Sequence, residues 1–123
     1  DAAEAYAESY GYDKFMEAYK AGVKAFGAGN MYANFVGGLE PVESMEEGFE
    51  YFARQGIVPS VNVFHPDPKS KLAERRPPSV DYLMRVTKTQ DRIYSDYGFS
   101  SIYPRGGSRN SLDNEVYMGY FKQ

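Results

Sequence analysis

The segment NFVGGLEPVES, residues 34–44, decides the predicted fold of this chain. It continues an apolar, aromatic run, MYANFV (residues 31–36), which glycines bound on both sides, as is typical of a buried strand. Gly37, Gly38 and Glu40 follow that run directly. The segment therefore predicts a strand whose tip carries permissive backbone and a carboxylate.

A helix is predicted immediately after this tip. Ser44 and Glu47 have the S-x-x-E spacing of a capping box, which predicts a helix beginning at Ser44. Gly56 is expected to end it. Four apolar residues would share one face of this helix: Met45, Phe49, Phe52 and Ala53.

The next segments repeat the alternation of strand and helix. IVPSVNVF (residues 57–64) predicts a second strand, in which Pro59 fits the beginning better than the middle. The proline-rich residues 65–79 predict a loop with exposed charge. Ser79 is expected to cap a long helix that closes at Gly98.

Residues before the first strand also predict a helix. Asp13 is its expected N-cap, and GAGN (residues 27–30) supplies the left-handed backbone that ends it. Its apolar positions are Phe15, Tyr19, Val23 and Phe26. Residues 1–10 are predicted to form a short helix or an arm, and residues 116–121 one short strand or helix in a loose tail.

The predicted order of helix, strand, helix, strand, helix is typical of parallel strands joined by crossover helices, the α/β class. Two strands do not complete a sheet, so we expect a partial (βα) barrel segment in which either the tail supplies another strand or a second copy completes the sheet. The chain is expected to form a single unit, with an arm at residues 1–12, a βα core at 13–99 and a tail at 100–123.

Composition excludes several classes of function. Fourteen Lys and Arg against seventeen Asp and Glu give a net charge of −3, without the basic stripe that nucleic acid requires. Apolar runs are too short for a membrane span, so a soluble, cytoplasmic protein is expected. With no cysteine and only His65, the chain offers no thiolate or paired-histidine metal site.

The strand ends resemble those of a known family. Ala33, Phe35, Gly37 and Glu40 form A-x-F-x-G-x-x-E, which is similar to the G-x-I-x-G-x-x-E pattern on the fifth barrel strand of radical S-adenosylmethionine enzymes, particularly the biotin synthase-like branch. Ala33 replaces the first glycine of that pattern. The resemblance covers roughly residues 13–99.

The second predicted strand extends the resemblance. Asn62, Val63 and Phe64 match the asparagine and apolar residues that precede a proline-rich turn in the family, here containing Pro66 and Pro68. The chain departs from the family where PKSKL (residues 68–72) replaces the usual P-G-T-P-L turn.

The resemblance implies a longer parent enzyme. In such enzymes a C-x-x-x-C-x-x-C loop holds a [4Fe-4S] cluster that cleaves S-adenosylmethionine to start radical chemistry. Because this chain has no cysteine, it is expected to be a C-terminal segment that is inactive alone and binds no cofactor by itself. Its implied partner is the N-terminal remainder of the same enzyme.

The resemblance also implies which residues meet the cofactor. In parallel α/β folds ligands sit outside the carboxyl ends of the strands, where Gly37 and Gly38 would let main chain approach a flat ligand. The residues expected to face the adenosine moiety are Gly37, Gly38, Glu40, Asn62, Val63 and Phe64.

Simpler alternatives remain at each of these positions. Gly37 and Gly38 also fit a tight connection, Glu40 also fits a position facing solvent or the next helix N-terminus, and Asn62 also fits hydrogen bonding to neighbouring backbone. His65 and Asp67 are interpreted as surface residues of a loop, so no catalytic or metal-binding residue is predicted.

A different class of function is also consistent with the sequence. Twelve Tyr and eight Phe, combined with too few strands, fit a non-catalytic α/β module that oligomerises. A second copy would then complete the sheet.

Overall fold

The computed structural model describes residues 12–101 and 112–120. The predicted arm falls almost wholly outside these residues, as does the end of the tail. In chain order the elements are α1 (Tyr12–Phe26), β1 (Met31–Gly37), α2 (Val42–Ala53), β2 (Ile57–Val63), α3 (Val80–Tyr97) and α4 (Asp113–Tyr117).

The strands β1 and β2 are parallel neighbours, with α2 as the crossover between them. Their register runs from Met31 opposite Ile57 to Gly37 opposite Val63. The predicted α/β class with parallel strands is confirmed. Within the described residues the sheet has these two strands, so the larger barrel stays a prediction.

The start of α1 differs slightly from the prediction. Asp13 lies in the first helical turn, since the helix already includes Tyr12. A carboxylate there interacts favourably with the N-terminal end of the helix dipole, which explains why Asp suits both positions. Gly27 and Gly29 then adopt positive φ values of 93° and 83°, as expected for the end of this helix.

The predicted capping box before α2 is wrong. The helix begins at Val42, and Pro41 occupies the N-cap position with φ −56° and ψ 149°. Its carbonyl accepts hydrogen bonds from the backbone N–H groups of Ser44 (3.1 Å) and Met45 (3.2 Å). Ser44 is therefore already helical, and its backbone cannot adopt the extended conformation that an N-cap residue needs.

The core lies between the sheet and the helices α2 and α3. The α2 residues Met45, Phe49 and Ala53 are buried as predicted. The Phe35 ring packs edge-on against Phe49, with ring centroids 5.0 Å apart. Three buried residues complete this cluster: Val61, Val86 and Ile93. Phe26, predicted on the apolar face of α1, is instead 67 % exposed.

Both predicted ends of α3 are confirmed. The Ser79 hydroxyl accepts a hydrogen bond from the Tyr82 N–H (3.1 Å), and Gly98 closes the helix in the left-handed conformation. The tail helix α4 begins a few residues before the predicted position. Among the described residues no helix combines the length and apolar character needed to cross a bilayer.

Pro59 lies inside β2, opposite Ala33, and not at the strand start as predicted. Its carbonyl accepts a hydrogen bond from the Tyr94 hydroxyl (2.5 Å), so it points away from β1. In a strand the N–H and C=O of one residue point to the same side. The missing N–H of Pro59 therefore removes nothing from the hydrogen bonds between β1 and β2.

Candidate ligand-facing strand ends

The two predicted strand ends meet at one edge of the sheet. Gly37 pairs in register with Val63, and the Phe64 N–H donates to the Gly37 carbonyl (2.8 Å). Asn62 pairs with Val36 one position earlier. The parallel register thus brings together four of the six residues expected to face the cofactor, as the carboxyl ends of adjacent strands must. Their role in binding stays a prediction.

The two glycines at this edge are closely packed by the chain itself. A Cβ on Gly37 would lie 3.2 Å from Val61 Cγ1, on the side of the sheet that the helices cover. Gly38 has a φ of 115°, and a Cβ there would lie 2.8 Å from Pro78 Cδ. Both positions therefore favour glycine for tight packing, whether or not a ligand approaches.

A phenol and a guanidinium fix the backbone that follows the strand. The Tyr82 hydroxyl accepts from the Gly38 N–H (3.1 Å) and donates to the Glu40 carbonyl (2.7 Å). Arg75 donates to the Leu39 carbonyl (2.7 Å). The polar main-chain groups of this loop are thus held by α3 and by the segment before it.

The protonation state of the Tyr82 phenol allows it both to accept and to donate a hydrogen bond. Burial has the largest effect and raises the pKa of Tyr82. The hydrogen bond from the Gly38 N–H opposes it, and the Glu40 and Glu43 carboxylates raise the pKa further against a lowering by Arg75. The phenol therefore keeps its proton at neutral pH and can donate to the Glu40 carbonyl.

The opposite side of the sheet carries what we call the open face. Because side chains alternate along a strand, residues at even positions lie away from Phe35 and the core it joins. These are Tyr32, Asn34 and Val36 on β1, and Val58, Ser60 and Asn62 on β2.

Among the described residues, the open face is covered towards the start of the strands only. At the start of the strands Val58 packs with Tyr94 and Val116, and Tyr32 lies against this cluster. Towards the carboxyl ends Asn34 is exposed and Val36 is 42 % exposed. A polar ligand has access to the sheet at the end where Gly37 and Val63 meet.

Sequence reasoning missed Asn34 as a member of this surface. It lies opposite Ser60 and diagonal to Asn62, so two amides share the uncovered end of the face. Strand alternation predicts which side each residue occupies within its own strand. The alternation does not specify the register between the two strands, and only the register places Asn34 beside Asn62.

The loop after β2 shows no catalytic grouping. His65 is exposed, and the Asp67 carboxylate accepts a hydrogen bond from the Lys69 N–H (2.9 Å), as is common in surface turns. Within residues 12–101 and 112–120 no group of three His, Cys, Asp or Glu residues could hold a metal ion. An iron–sulfur cluster does not fit this chain, since the chain has no cysteine to bind it.

Comparison with known proteins gives one informative similarity. The chain is 32 % identical over 90 residues to bacteriochlorophyllide c C-7(1)-hydroxylase of Chlorobaculum limnaeum, across 72 % of this chain and 22 % of that enzyme. No protein-family profile matches, and no solved structure matches. The chain thus spans about a fifth of the length of this relative.

That relative is a radical S-adenosylmethionine enzyme. The similarity supports the broader expectation that this chain is related to a part of such an enzyme.

Proposed function

We propose that this chain is part of a radical S-adenosylmethionine enzyme and supplies two neighbouring strands of its barrel wall. The observation that carries the proposal is the 32 % identity to one such enzyme over 72 % of the chain. The parallel pairing of β1 and β2 is compatible with it. The proposal concerns this wider class, and the finer assignment to the biotin synthase-like branch rests on the resemblance of the strand ends alone.

The chain alone is proposed to be inactive. A [4Fe-4S] cluster supplies the electron that starts radical chemistry in these enzymes, and thiolates must hold it. This chain has none, so the thiolates belong to another part of the parent protein.

The proposed contribution of this chain is to shape the surface that meets the adenosine group. Val63 and Phe64 are half-buried at the joined strand ends and offer apolar contacts to the adenine ring. Asn62 lies on the open face beside them and offers an amide. Tyr82 fixes the Gly38–Glu40 backbone from the helix side, so it leaves the open face free.

The whole parent protein tests the proposed class. Purified anaerobically, it is expected to contain four iron atoms per cluster and to convert S-adenosylmethionine to methionine and 5′-deoxyadenosine under reduction. The 123-residue chain alone is expected to bind no iron. A parent protein without thiolate-bound iron would contradict the proposal.

Variants of the parent test the proposed contact surface. Asn62→Asp places a carboxylate on the open face next to the joined strand ends and is expected to weaken S-adenosylmethionine binding at least tenfold with iron content unchanged. Glu47→Ala, at an exposed position of α2, is the control. Equal affinities of the two variants would exclude Asn62 from the binding surface.

The proposal of shared radical chemistry does not include the substrate of the relative. The name of the relative specifies bacteriochlorophyllide c, but the matched region is only 22 % of that enzyme. Substrate contacts in a barrel come from several strands and loops. We therefore propose the shared initiation chemistry and no particular substrate.

A second candidate is the non-catalytic module that oligomerises. The observation favouring it is a cluster of exposed apolar side chains in and after α4, namely Tyr117, Met118 and Tyr120. Light scattering of the purified chain tests it, because a monomer at high concentration would exclude self-association.

A further inference from the structure

Ser60 lies on the open face where its apolar, covered part ends. It pairs in register with Asn34 and is half-buried, whereas Val58, two positions earlier, is fully buried and packs with Tyr94 and Val116. Side chains two positions apart on a strand lie on the same side of the sheet. Within the described residues, Ser60 is therefore the position at which this face changes from apolar to polar.

The proton of the Ser60 hydroxyl is committed to a buried carboxylate. Ser60 Oγ donates to Asp113 Oδ2 (2.5 Å), and Asp113 at the start of α4 is 2 % exposed. A carboxylate accepts hydrogen bonds and has no proton to donate. The O–H group of Ser60 thus points at α4, and the lone pairs of its oxygen remain for the open face.

Other buried groups hold the Asp113 carboxylate in this orientation. Its second oxygen, Oδ1, accepts from the Gln90 amide (2.6 Å) and from the Val61 N–H (3.4 Å). Gln90 is fully buried, and its amide nitrogen also donates to the Tyr94 hydroxyl (3.1 Å). With Oδ1 occupied by these two donors, Oδ2 stays directed at Ser60.

The carboxylate also makes Ser60 a better acceptor. A hydroxyl that donates to a charged acceptor becomes polarised, and its oxygen then accepts a further hydrogen bond more strongly. No N–H or O–H group of a described residue donates to Ser60 Oγ. This accepting capacity is therefore left for a ligand.

The neighbouring side chains indicate what kind of ligand fits. Asn34 lies opposite Ser60, and Asn62 lies two positions nearer the strand end. Their amides both donate and accept, so Ser60 is the member of this trio whose polarity is fixed. None of the six side chains of the open face is charged. A small polar molecule suits two amides and a hydroxyl better than an apolar protein segment does.

We infer that Ser60 selects a ligand group that donates a hydrogen bond, an N–H or O–H group, and that Asp113 sets this preference as a positioning residue. The ligand is the substrate and not the adenosine group, because Ser60 lies three positions before Val63, about 10 Å along the strand. The inference rests on the proposed function for the presence of a substrate at this end of the sheet.

Asp113→Asn is expected to reverse the preference with almost no change in side-chain size. The Gln90 amide and the Val61 N–H both donate to Oδ1, so the amide oxygen of the variant keeps that position. Its NH₂ group then takes the position of Oδ2 and donates to Ser60. The Ser60 proton is thereby released towards the open face, where it favours a ligand group that accepts.

The experiment uses the whole parent protein, labelled with ¹⁵N at its asparagine residues. It is titrated with pyrrole, which donates a hydrogen bond, and with pyridine, which accepts one, at mildly alkaline pH where pyridine is uncharged. The side-chain amide signals of Asn34 and Asn62 report binding at this face. The wild type should bind pyrrole more tightly. The ratio of the pyridine Kd to the pyrrole Kd should fall at least tenfold in Asp113→Asn.

Three further variants separate polarity from structure. Asp13→Asn makes the same chemical change at an exposed position of α1 and should keep the wild-type ratio. Ser60→Ala removes the acceptor and should weaken pyrrole binding at least fivefold with little effect on pyridine. Ser60→Thr retains the hydroxyl and should restore the wild-type ratio. If Asp113→Asn does not fold, the two Ser60 variants decide the question.

A purely structural role for Asp113 predicts a different result. Both probes would then bind Asp113→Asn more weakly and by the same factor, and this unchanged ratio would overturn the inference. Wild-type affinity of Ser60→Ala for pyrrole would overturn it as well. So would a wild-type protein in which pyrrole leaves the Asn34 and Asn62 signals unmoved.

The outcome is distinguishable from failure of the proposed function. Binding of pyrrole and pyridine requires neither iron nor S-adenosylmethionine. A parent without thiolate-bound iron would contradict the proposed chemistry and leave the probe ratios as evidence on Ser60. An unchanged ratio in a parent that cleaves S-adenosylmethionine would overturn the Ser60 inference alone.

Discussion

At the scale of single residues, the loop after β1 depends on close contacts that only a few side chains permit. Gly38 combines a positive φ with direct packing against Pro78. Tyr82 joins the main chain on either side of Leu39. These contacts set the shape of the strand end at which a ligand is proposed to bind.

Gly38→Ala is expected to lower the free energy of unfolding by about 3 kcal/mol, because it combines backbone strain with a clash. The strain arises at φ 115°, and the new Cβ would lie 2.8 Å from Pro78. Gly98→Ala is the control, because its φ is also positive at 68° but no atom lies within 4 Å of the new Cβ. It is expected to cost about 1 kcal/mol. Equal losses in urea denaturation would contradict a packing role for Pro78.

Tyr82→Phe is expected to cost about 1–3 kcal/mol, since the half-buried Gly38 N–H loses its acceptor. Tyr51→Phe removes a hydroxyl from an exposed ring and should change stability by less than about 0.5 kcal/mol. Thermal unfolding of the two variants makes the comparison. A Tyr82→Phe protein as stable as Tyr51→Phe would show that water replaces the phenol.

At the scale of elements, α2 and α3 are joined by charge as well as by the core. Arg85 contacts Glu46 (2.6 Å), and Arg92 contacts Glu50 (3.1 Å). The Thr89 hydroxyl also donates to Glu46. The pairing fixes how α3 lies beside the crossover helix, and so it positions Tyr82.

The Glu46 carboxylate makes this contact dependent on pH. Burial raises the pKa of Glu46, but hydrogen bonds from Thr89 and Arg85 and the charges of Arg85 and Arg92 outweigh it and hold the pKa below its ordinary value. A lowered folded-state pKa contributes stability that is complete above the unfolded-state pKa and is lost as pH falls through the folded-state pKa.

Glu46→Gln is therefore expected to reduce the acid sensitivity of the fold. Between pH 7 and pH 3 the wild type should lose more unfolding free energy than the variant, with most of the difference appearing below about pH 4.5. Glu47→Gln, on the exposed side of α2, is the control. Parallel stability curves for the wild type and Glu46→Gln would contradict the prediction.

The contact between α4 and β2 depends on the Asp113 carboxylate, which accepts hydrogen bonds from several donors. Asp113→Ala leaves at least the Ser60 hydroxyl, the Val61 N–H and the Gln90 amide without that acceptor. We expect a loss of about 3 kcal/mol or more and faster exchange of the Val61 amide proton. Ser60→Ala removes a single donor and should cost about 1 kcal/mol. An unchanged Val61 exchange rate in Asp113→Ala would contradict this role.

At the scale of the whole molecule, the two edges of the sheet differ. Leu112 and Asp113 bind the outer edge of β2, whereas no described residue binds the outward main-chain groups of β1. The isolated chain should therefore show alternating amide exchange along β1. The outward N–H groups of Asn34 and Val36 should exchange faster than the inward N–H of Phe35, which pairs with β2. Residue-resolved exchange by NMR checks this, and equal protection of Asn34 and Phe35 would show that something covers the edge.

Local sequence determined much of the fold. The strands were predictable because short β-branched and aromatic runs lie between glycines. The end of α1 and both ends of α3 were predictable because a capping Ser and left-handed Gly residues at the helix ends are visible in the local sequence. The start of α2 was mispredicted because Pro41 occupies the N-cap position and the helix begins before Ser44. The predicted capping box at Ser44 therefore falls inside the helix.

The sequence by itself determined the order of elements, the parallel direction that follows from it, and the absence of thiolates for a cluster. Only the tertiary structure decided that Leu112 and Asp113 bind the outer edge of β2, that a side chain at position 38 would clash with Pro78, and that Asn34 joins Asn62 on the open face. The physical reason is that these properties depend on register and on contacts between residues distant in the chain, which local propensities do not specify.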